Sequence, residues 1–336
     1  MQCPLIDLSG ISGCPPRWGI NLAGCPVKIC VVVPVFNTPP HLLERCLTSL
    51  ADQRKGLSNA LLETIIVDDC SNVLETIGAI DQAIQANPGF LLIRNNFNMG
   101  LAYSRALGAE KASGDYVFFV DSDDTLPPLT LFRLAQVAKS TGADVVDGYI
   151  RRIEDGETRW HRSLDNEDLE AQRRNTLRAD TSFMMQGSLY SVEVIIQSKL
   201  RVPHRYPHED MTTRVRALFT ATSYAQVPAC TYNYHIQPIS LSIFSGLRNV
   251  EGVLAAAEDW VEVMKQKGVT ENYQEDMRVG VRKLLGGAIK RINRVGGMSV
   301  EDVELISERL ISHEIPHQFF SEEELDTLIS ALQPPR

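Results

Sequence analysis

The chain has 336 residues, 44% hydrophobic and 22% charged, with a net charge of −9. This composition excludes a disordered or fibrous chain and supplies material for a sizeable core. The acidic balance argues against general affinity for nucleic acid or anionic lipid, leaving only a local basic stretch within the arginine-rich residues 151–178.

Cys-Pro recurs at Cys3, Cys14 and Cys25, with Gly13 and Gly24 before the later two. The repeat is too short for a solenoid, so residues 1–27 are expected to be an irregular leader. Regular structure starts at Lys28. Ile29 to Val35 reads as a buried strand, and Leu43, Cys46, Leu47 and Leu50 follow at helical spacing. Thr64 to Val67 is a second strand, closed by Asp68 and Asp69. Leu74, Ile77, Ile80 and Ile84 mark a helix that Asn87-Pro88-Gly89 stops. Phe90 to Ile93 is a third strand, Gly100 to Ala112 a small-residue helix, and Tyr116 to Val120 a fourth strand. Pro127 and Pro128 open a helix through Ala138, and Ala143 to Val146 is a further strand. Strands alternating with helices predict an α/β, Rossmann-like fold: a mostly parallel central sheet with helices on both faces.

After about residue 150 the alternation fails, and charged, irregular sequence is expected as far as Arg178. Phe183 to Leu200 reads as a short strand feeding a helix, and Thr222 to Tyr234 as a strand. From residue 246 the chain reads as a helical subdomain that packs rather than catalyses, with Leu247, Val250, Leu254, Val261 and Met264 in one stripe. Seven cysteines without a C-x-x-C pair make neither a disulfide framework nor a zinc site. Cys30, Cys46 and Cys70 are expected as small buried hydrophobes, and a reducing, cytoplasmic location follows. No secretory leader and no apolar run long enough to span a membrane is visible.

Ligands of open α/β sheets bind beyond the carboxyl ends of the strands. Three polar clusters fall there: Pro34, Val35, Phe36 and Asn37; Asp68 and Asp69; and Asp121, Asp123 and Asp124 around Ser122. Three carboxylates within four residues repel unless a cation intervenes, and Mg²⁺ or Mn²⁺ shared with substrate phosphates suits them. Phe36 offers a ring face to a nucleobase and Asp69 an acceptor for a pyrimidine N–H. Asp68 points the other way and is expected to be structural. Glycine-rich phosphate fingerprints are missing, so the metal and side chains must handle a diphosphate.

In order and spacing, these segments resemble glycosyltransferase family 2, the inverting transferases of the GT-A fold. The resemblance rests on residues 31–37 (VVVPVFN), 66–71 (IVDDCS), 98–105 (NMGLAYSR), 114–124 (GDYVFFVDSDD) and 208–211 (HEDM), and spans a domain of residues 28–245. It implies a nucleotide-binding set of Pro34, Val35, Phe36, Asn37, Asp69, Gly100, Arg105, Asp121 and Ser122. Asp121 and Asp123 would form the D-x-D motif, with Asp124 beside them, and Asp210 would be the catalytic base. Residues 232–242 (YNYHIQPISLS) resemble the loop that folds over the diphosphate, with His235 where arginine is common, as a phosphate partner or a metal ligand. Gly187 and Ser188 stand where many relatives carry a basic residue. His204 and His208 are expected to position Asp210 rather than bind metal. The implied partners are a nucleotide-sugar donor, UDP-linked, and a glycan, lipid-linked or small-molecule acceptor. Peripheral association with the inner face of a membrane and homo-oligomerisation stay open. Two rivals use the same residues: a haloacid-dehalogenase-like phosphatase with Asp121 as nucleophile, and a catalytically inactive sugar-nucleotide binder.

Overall fold

The computed structural model describes residues 27–57, 61–162, 168–199, 208–237, 247–294 and 300–332. The Cys-Pro leader, His204 and most of the loop after His235 lie outside the described residues.

The amino-terminal half alternates as its apolar runs require: β1 (Ile29–Val35), α1 (Pro40–Ala51), β2 (Leu62–Asp68), α2 (Leu74–Ala86), β3 (Phe90–Arg94), α3 (Leu101–Lys111), β4 (Tyr116–Phe119) and α4 (Thr130–Thr141). Strands β1 to β4 are parallel in the order β3-β2-β1-β4, so their carboxyl ends share one edge. β1 is buried along its whole length, as expected of a strand covered on both faces. α1, α2 and α4 pack on one face; α3 packs on the other, where Ala109 meets Val32 and Val67. Leu74, expected on the buried stripe of α2, is instead 78% exposed, at the helix's first turn. Cys30 and Cys46 are buried, but Cys70 is partly exposed with φ of 64° and belongs to a tight turn.

The middle of the chain corrects the sequence reading. β5 (Val145–Glu154) runs eight residues past Val146 and turns at Asp155-Gly156 into β6 (Glu157–Arg162). α5 (Leu169–Leu177) follows, capped by Asp168. β6 is an edge strand whose polar side chains face solvent, so no apolar alternation announces it. β7 (Ser188–Ser191) feeds α6 (Val192–Gln197), as expected, and runs antiparallel between β4 and β5. α7 (Glu209–Thr220) leads to β8 (Tyr224–His235), which pairs with β5 in parallel and completes an eight-stranded sheet.

The carboxyl-terminal helices are α8 (Leu247–Lys267), α9 (Thr270–Arg294), α10 (Val300–Ser312), α11 (Glu314–Phe319) and α12 (Glu322–Ser330). Val250, Leu254, Val261 and Met264 of α8 are buried as their spacing predicts. They share a core with Met211, Val215 and Phe219 of α7. Among the described residues no helix is long and apolar enough to cross a membrane.

Candidate active site

The loops leaving β1, β2 and β3 are stitched together at the sheet edge. Asn37, at φ 51°, accepts from the backbone N–H groups of Asn72 and Val73 and closes the start of α2. Pro34 and Val35 are buried within β1, whereas the Phe36 ring beyond them stands 49% exposed. Asp68 is fully buried and held by Arg94 Nε (2.8 Å) and Ser71 N–H (2.9 Å), the structural role expected of it. Asp69 departs from expectation. Its carboxylate turns into the loop before α3 and accepts from Asn95 Nδ2 (2.7 Å), Met99 N–H (2.9 Å) and Gly100 N–H (2.7 Å). Gly100 has φ of 93°, a conformation that favours glycine, so Asp69 and Gly100 together shape the entry to α3.

After β4 the four residues of the acidic turn separate. Asp121 accepts from Arg105 Nη2 (2.6 Å) on one oxygen and Gln186 Nε2 (2.7 Å) on the other. Ser122 Oγ lies 2.6 Å from Thr38 Oγ1. Asp124 is buried; it accepts from Tyr232 Oη (2.6 Å) and His235 N–H (2.7 Å). Burial, then Asp121 and Asp123, push the Asp124 carboxyl well up, and those two donors oppose the shift. The His235 ring lies 3.0 Å from Thr125 Oγ1, and burial, with Arg45 and Arg151, pushes it down to about 4. It is therefore neutral at pH 7.

Asp121, Asp123, Asp124 and His235 consequently do not converge as the joint metal set expected from the sequence. Among the described residues no three histidine, cysteine or acidic groups gather closely enough to hold an ion. A buried carboxylate must find donors, and Asp124 finds them in Tyr232 and His235 of β8. Asp123 fits a cation better. Its backbone carbonyl is held by Arg45 (2.6 Å), while burial and neighbouring Asp121 push its carboxyl up to about 6. A divalent ion would relieve that repulsion, and one carboxylate plus substrate phosphate oxygens is an ordinary Mg²⁺ or Mn²⁺ arrangement.

Arg105 and Asp210 meet across the site. Arg105, 5% exposed on α3, donates through Nη1 to Asp210 Oδ1 (2.6 Å) and Glu209 Oε1 (2.7 Å) while Nη2 holds Asp121. It thus bridges the acidic turn and the start of α7 rather than facing open nucleotide space. Burial pushes the Asp210 carboxyl up to about 7, with Glu209 and Asp121 adding to the shift and Arg105 opposing it. His208, at φ 82°, turns the chain into α7 immediately before these acids. Sequence reasoning missed Gln186 and Arg45; nothing in their local pattern marks either, since their partners lie 65 and 78 residues away. Ser188 accepts from Arg214 Nη1 (3.3 Å), so a basic side chain reaches this strand from α7.

The signature of glycosyl transferase family 2 matches residues 30–197, half of the chain, and covers β1 through α6. The chain belongs to glycosyl transferase family 2. An N-acetylglucosaminyltransferase of Sinorhizobium fredii is 29% identical over 145 residues, 43% of this chain and 34% of that relative. The chain therefore spans about a third of the N-acetylglucosaminyltransferase it matches. A succinoglycan biosynthesis protein, ExoO, of Rhizobium meliloti is 25% identical over 264 residues, 75% of this chain and 73% of that one. In fold, the chain is similar to S. aureus TarS 1-349 in complex with UDP-GlcNAc, with a TM-score of 0.60 at 17% identity over 91% of this chain and 90% of that one. Mannosyltransferase PcManGT from Pyrobaculum calidifontis, in complex with GDP-Man and Mn²⁺, gives 0.54 at 15% identity over 91% and 86%. The family 2 membership and the GT-A fold expected from the motifs both stand. The phosphatase reading does not, because the family match runs through the acidic turn itself, residues 121–124 included.

Proposed function

We propose that this chain transfers a sugar from a UDP-sugar to an acceptor hydroxyl in polysaccharide synthesis, by one displacement that inverts the anomeric carbon. The name of the Sinorhizobium relative and the TarS complex make UDP-N-acetylglucosamine the first donor to test. The exposed Phe36 ring offers a face for the base, beside the loops that Asn37 and Asp69 brace. Asp123 would hold Mn²⁺ or Mg²⁺, which when bound neutralises the leaving diphosphate. Asp210 accepts the proton of the acceptor hydroxyl as its oxygen bonds to the anomeric carbon. The bond from that carbon to the diphosphate breaks, and its electron pair leaves with UDP.

The observation that carries this reading is the Asp210 carboxyl, brought to about 7 at the edge of the acidic turn and linked to it through Arg105. A base poised near the working pH is the most effective one. Asp210→Asn keeps the shape but cannot take the proton. Turnover of UDP-N-acetylglucosamine should fall by ~10²–10⁴-fold, while UDP affinity by calorimetry stays at the wild-type value. Near-normal transfer by this variant would remove Asp210 from the chemistry. Tight UDP-sugar binding with no transfer or hydrolysis by the wild type, across a panel of acceptors, would favour the inactive-binder reading.

A further inference from the structure

α7, which begins with the Glu209-Asp210 pair, is gripped from two sides. Toward the sheet, Arg214 is fully buried one turn after Asp210, and two strands bond its guanidinium. It donates to both oxygens of Asp147 on β5 and to Tyr190 Oη (2.7 Å) on β7, while Tyr224 Oη of β8 donates to Asp147 (2.9 Å). Toward the carboxyl-terminal helices, Arg216 pairs with Asp259 of α8 through Nε and Nη2, at 2.6 to 2.9 Å. Trp260, also fully buried, stacks on Phe183 at 5.6 Å and donates its indole N–H (3.1 Å) to the carbonyl of Met211, the residue that follows Asp210.

Apolar side chains would bury such a helix at less desolvation cost than two ion pairs. Forked guanidinium–carboxylate contacts add direction that apolar packing lacks. Arg214 and Arg216 are two residues apart, on roughly opposite sides of the helix. Together they fix its rotation, and the indole bond at Met211 fixes its first turn.

We propose that the carboxyl-terminal subdomain is a positioning device for the catalytic base, acting through Asp259 and Trp260 on α7 against the Arg214–Asp147 anchor in the sheet. This rests on Asp210 being the base. It gives the subdomain a task beyond packing: it sets where Asp210 meets the acceptor hydroxyl, while the donor half of the site stays on β1, β2 and β4.

The test uses the full chain and two mild variants, Trp260→Phe, which removes the indole N–H but keeps a stacking ring, and Asp259→Asn. With UDP-N-acetylglucosamine as donor, kcat should fall about tenfold to a hundredfold in each, because small displacements of a reacting group cost that much. Donor KM and UDP affinity should stay unchanged. Placed in an Asp210→Asn background, Trp260→Phe should cause no further loss, since its effect runs through the missing base. Unchanged kcat in both variants overturns the inference, and so does a loss that persists undiminished in the Asp210→Asn background. A parallel loss of UDP affinity and kcat also overturns it, because that is general destabilisation. Wild-type turnover by Asp210→Asn itself marks failure of the base assignment, and this inference falls with it.

Discussion

Arg105 shows how much of the site turns on one side chain. It is the cation shared by Asp121, Glu209 and Asp210 in a largely buried place, so its removal leaves three carboxylates without a counter-charge. Arg105→Met should cost about 3–5 kcal/mol at pH 8. Without the cation, Asp210 rises beyond its present value of about 7. The folded state then holds protons that the unfolded chain has lost, so stability recovers as pH falls. Melting temperature followed from pH 8 to pH 5 should rise for the variant relative to wild type, and the acidic limb of kcat should move to higher pH. A constant stability difference across that range would show that Arg105 does not neutralise this cluster.

Asp69 calls for a different revision. Read from sequence, it faces a nucleobase, and replacing it should spare the fold. Its carboxylate is in fact spent on Asn95, Met99 and Gly100. Asp69→Ala strands those donors and should cost about 3 kcal/mol or more, with UDP binding weakened only as the β3–α3 loop loosens. Chemical denaturation shows the first effect directly; a variant of wild-type stability would contradict it. The sequence made the acidic residues legible as a group because they follow apolar strands. It could not show which carboxylates turn inward, since that depends on donors such as Tyr232, 108 residues from Asp124, and Gln186, 65 residues from Asp121.

Among the elements, legibility followed burial. β1 to β4 appear in the sequence because both faces of the sheet are covered there and the strands must be apolar. β6 and α5 did not appear, because neither is defined by an apolar stripe. α5 reads LEAQRRNTL and is held largely by polar contacts to α9: Arg174 to Asp276 (2.7 Å), Tyr273 Oη to Glu170 (2.6 Å), and Arg174 over the Tyr273 ring. Such pairings have no local period. Their close approach depends on Gly280 of α9, where a Cβ would overlap the carbonyl oxygen of Leu177. Backbone cannot step aside as a side chain can, so Gly280→Ala should cost about 1–3 kcal/mol or more. In thermal unfolding this appears as a lowered melting temperature, and Gly286→Ala on the same helix, where a Cβ meets nothing, serves as the control and should match or exceed wild-type stability. Equal stability of the two variants would mean that α5 and α9 do not pack this closely.

For the whole molecule, the donor half and the acceptor half of the proposed reaction depend on pH through different groups, and metal binding separates them. In the proposed reaction Asp123 would take Mn²⁺ with the diphosphate, and burial beside Asp121 brings it up to about 6. An ion and a proton compete for it, so metal affinity should climb as pH rises toward 6 and flatten above. Asp210 titrates higher, near 7, so kcat should go on rising after metal binding has saturated. His235, already neutral above about 4, should contribute to neither limb. Calorimetry of Mn²⁺ with UDP from pH 5 to 8, beside kcat measured at saturating Mn²⁺, resolves the two. Excess chelator should abolish transfer, and Asp123→Asn should remove both the metal affinity and its step near pH 6. Full turnover in chelator would remove the metal from the reaction, and an unchanged Mn²⁺ titration in Asp123→Asn would rule out this carboxylate as the metal's holder.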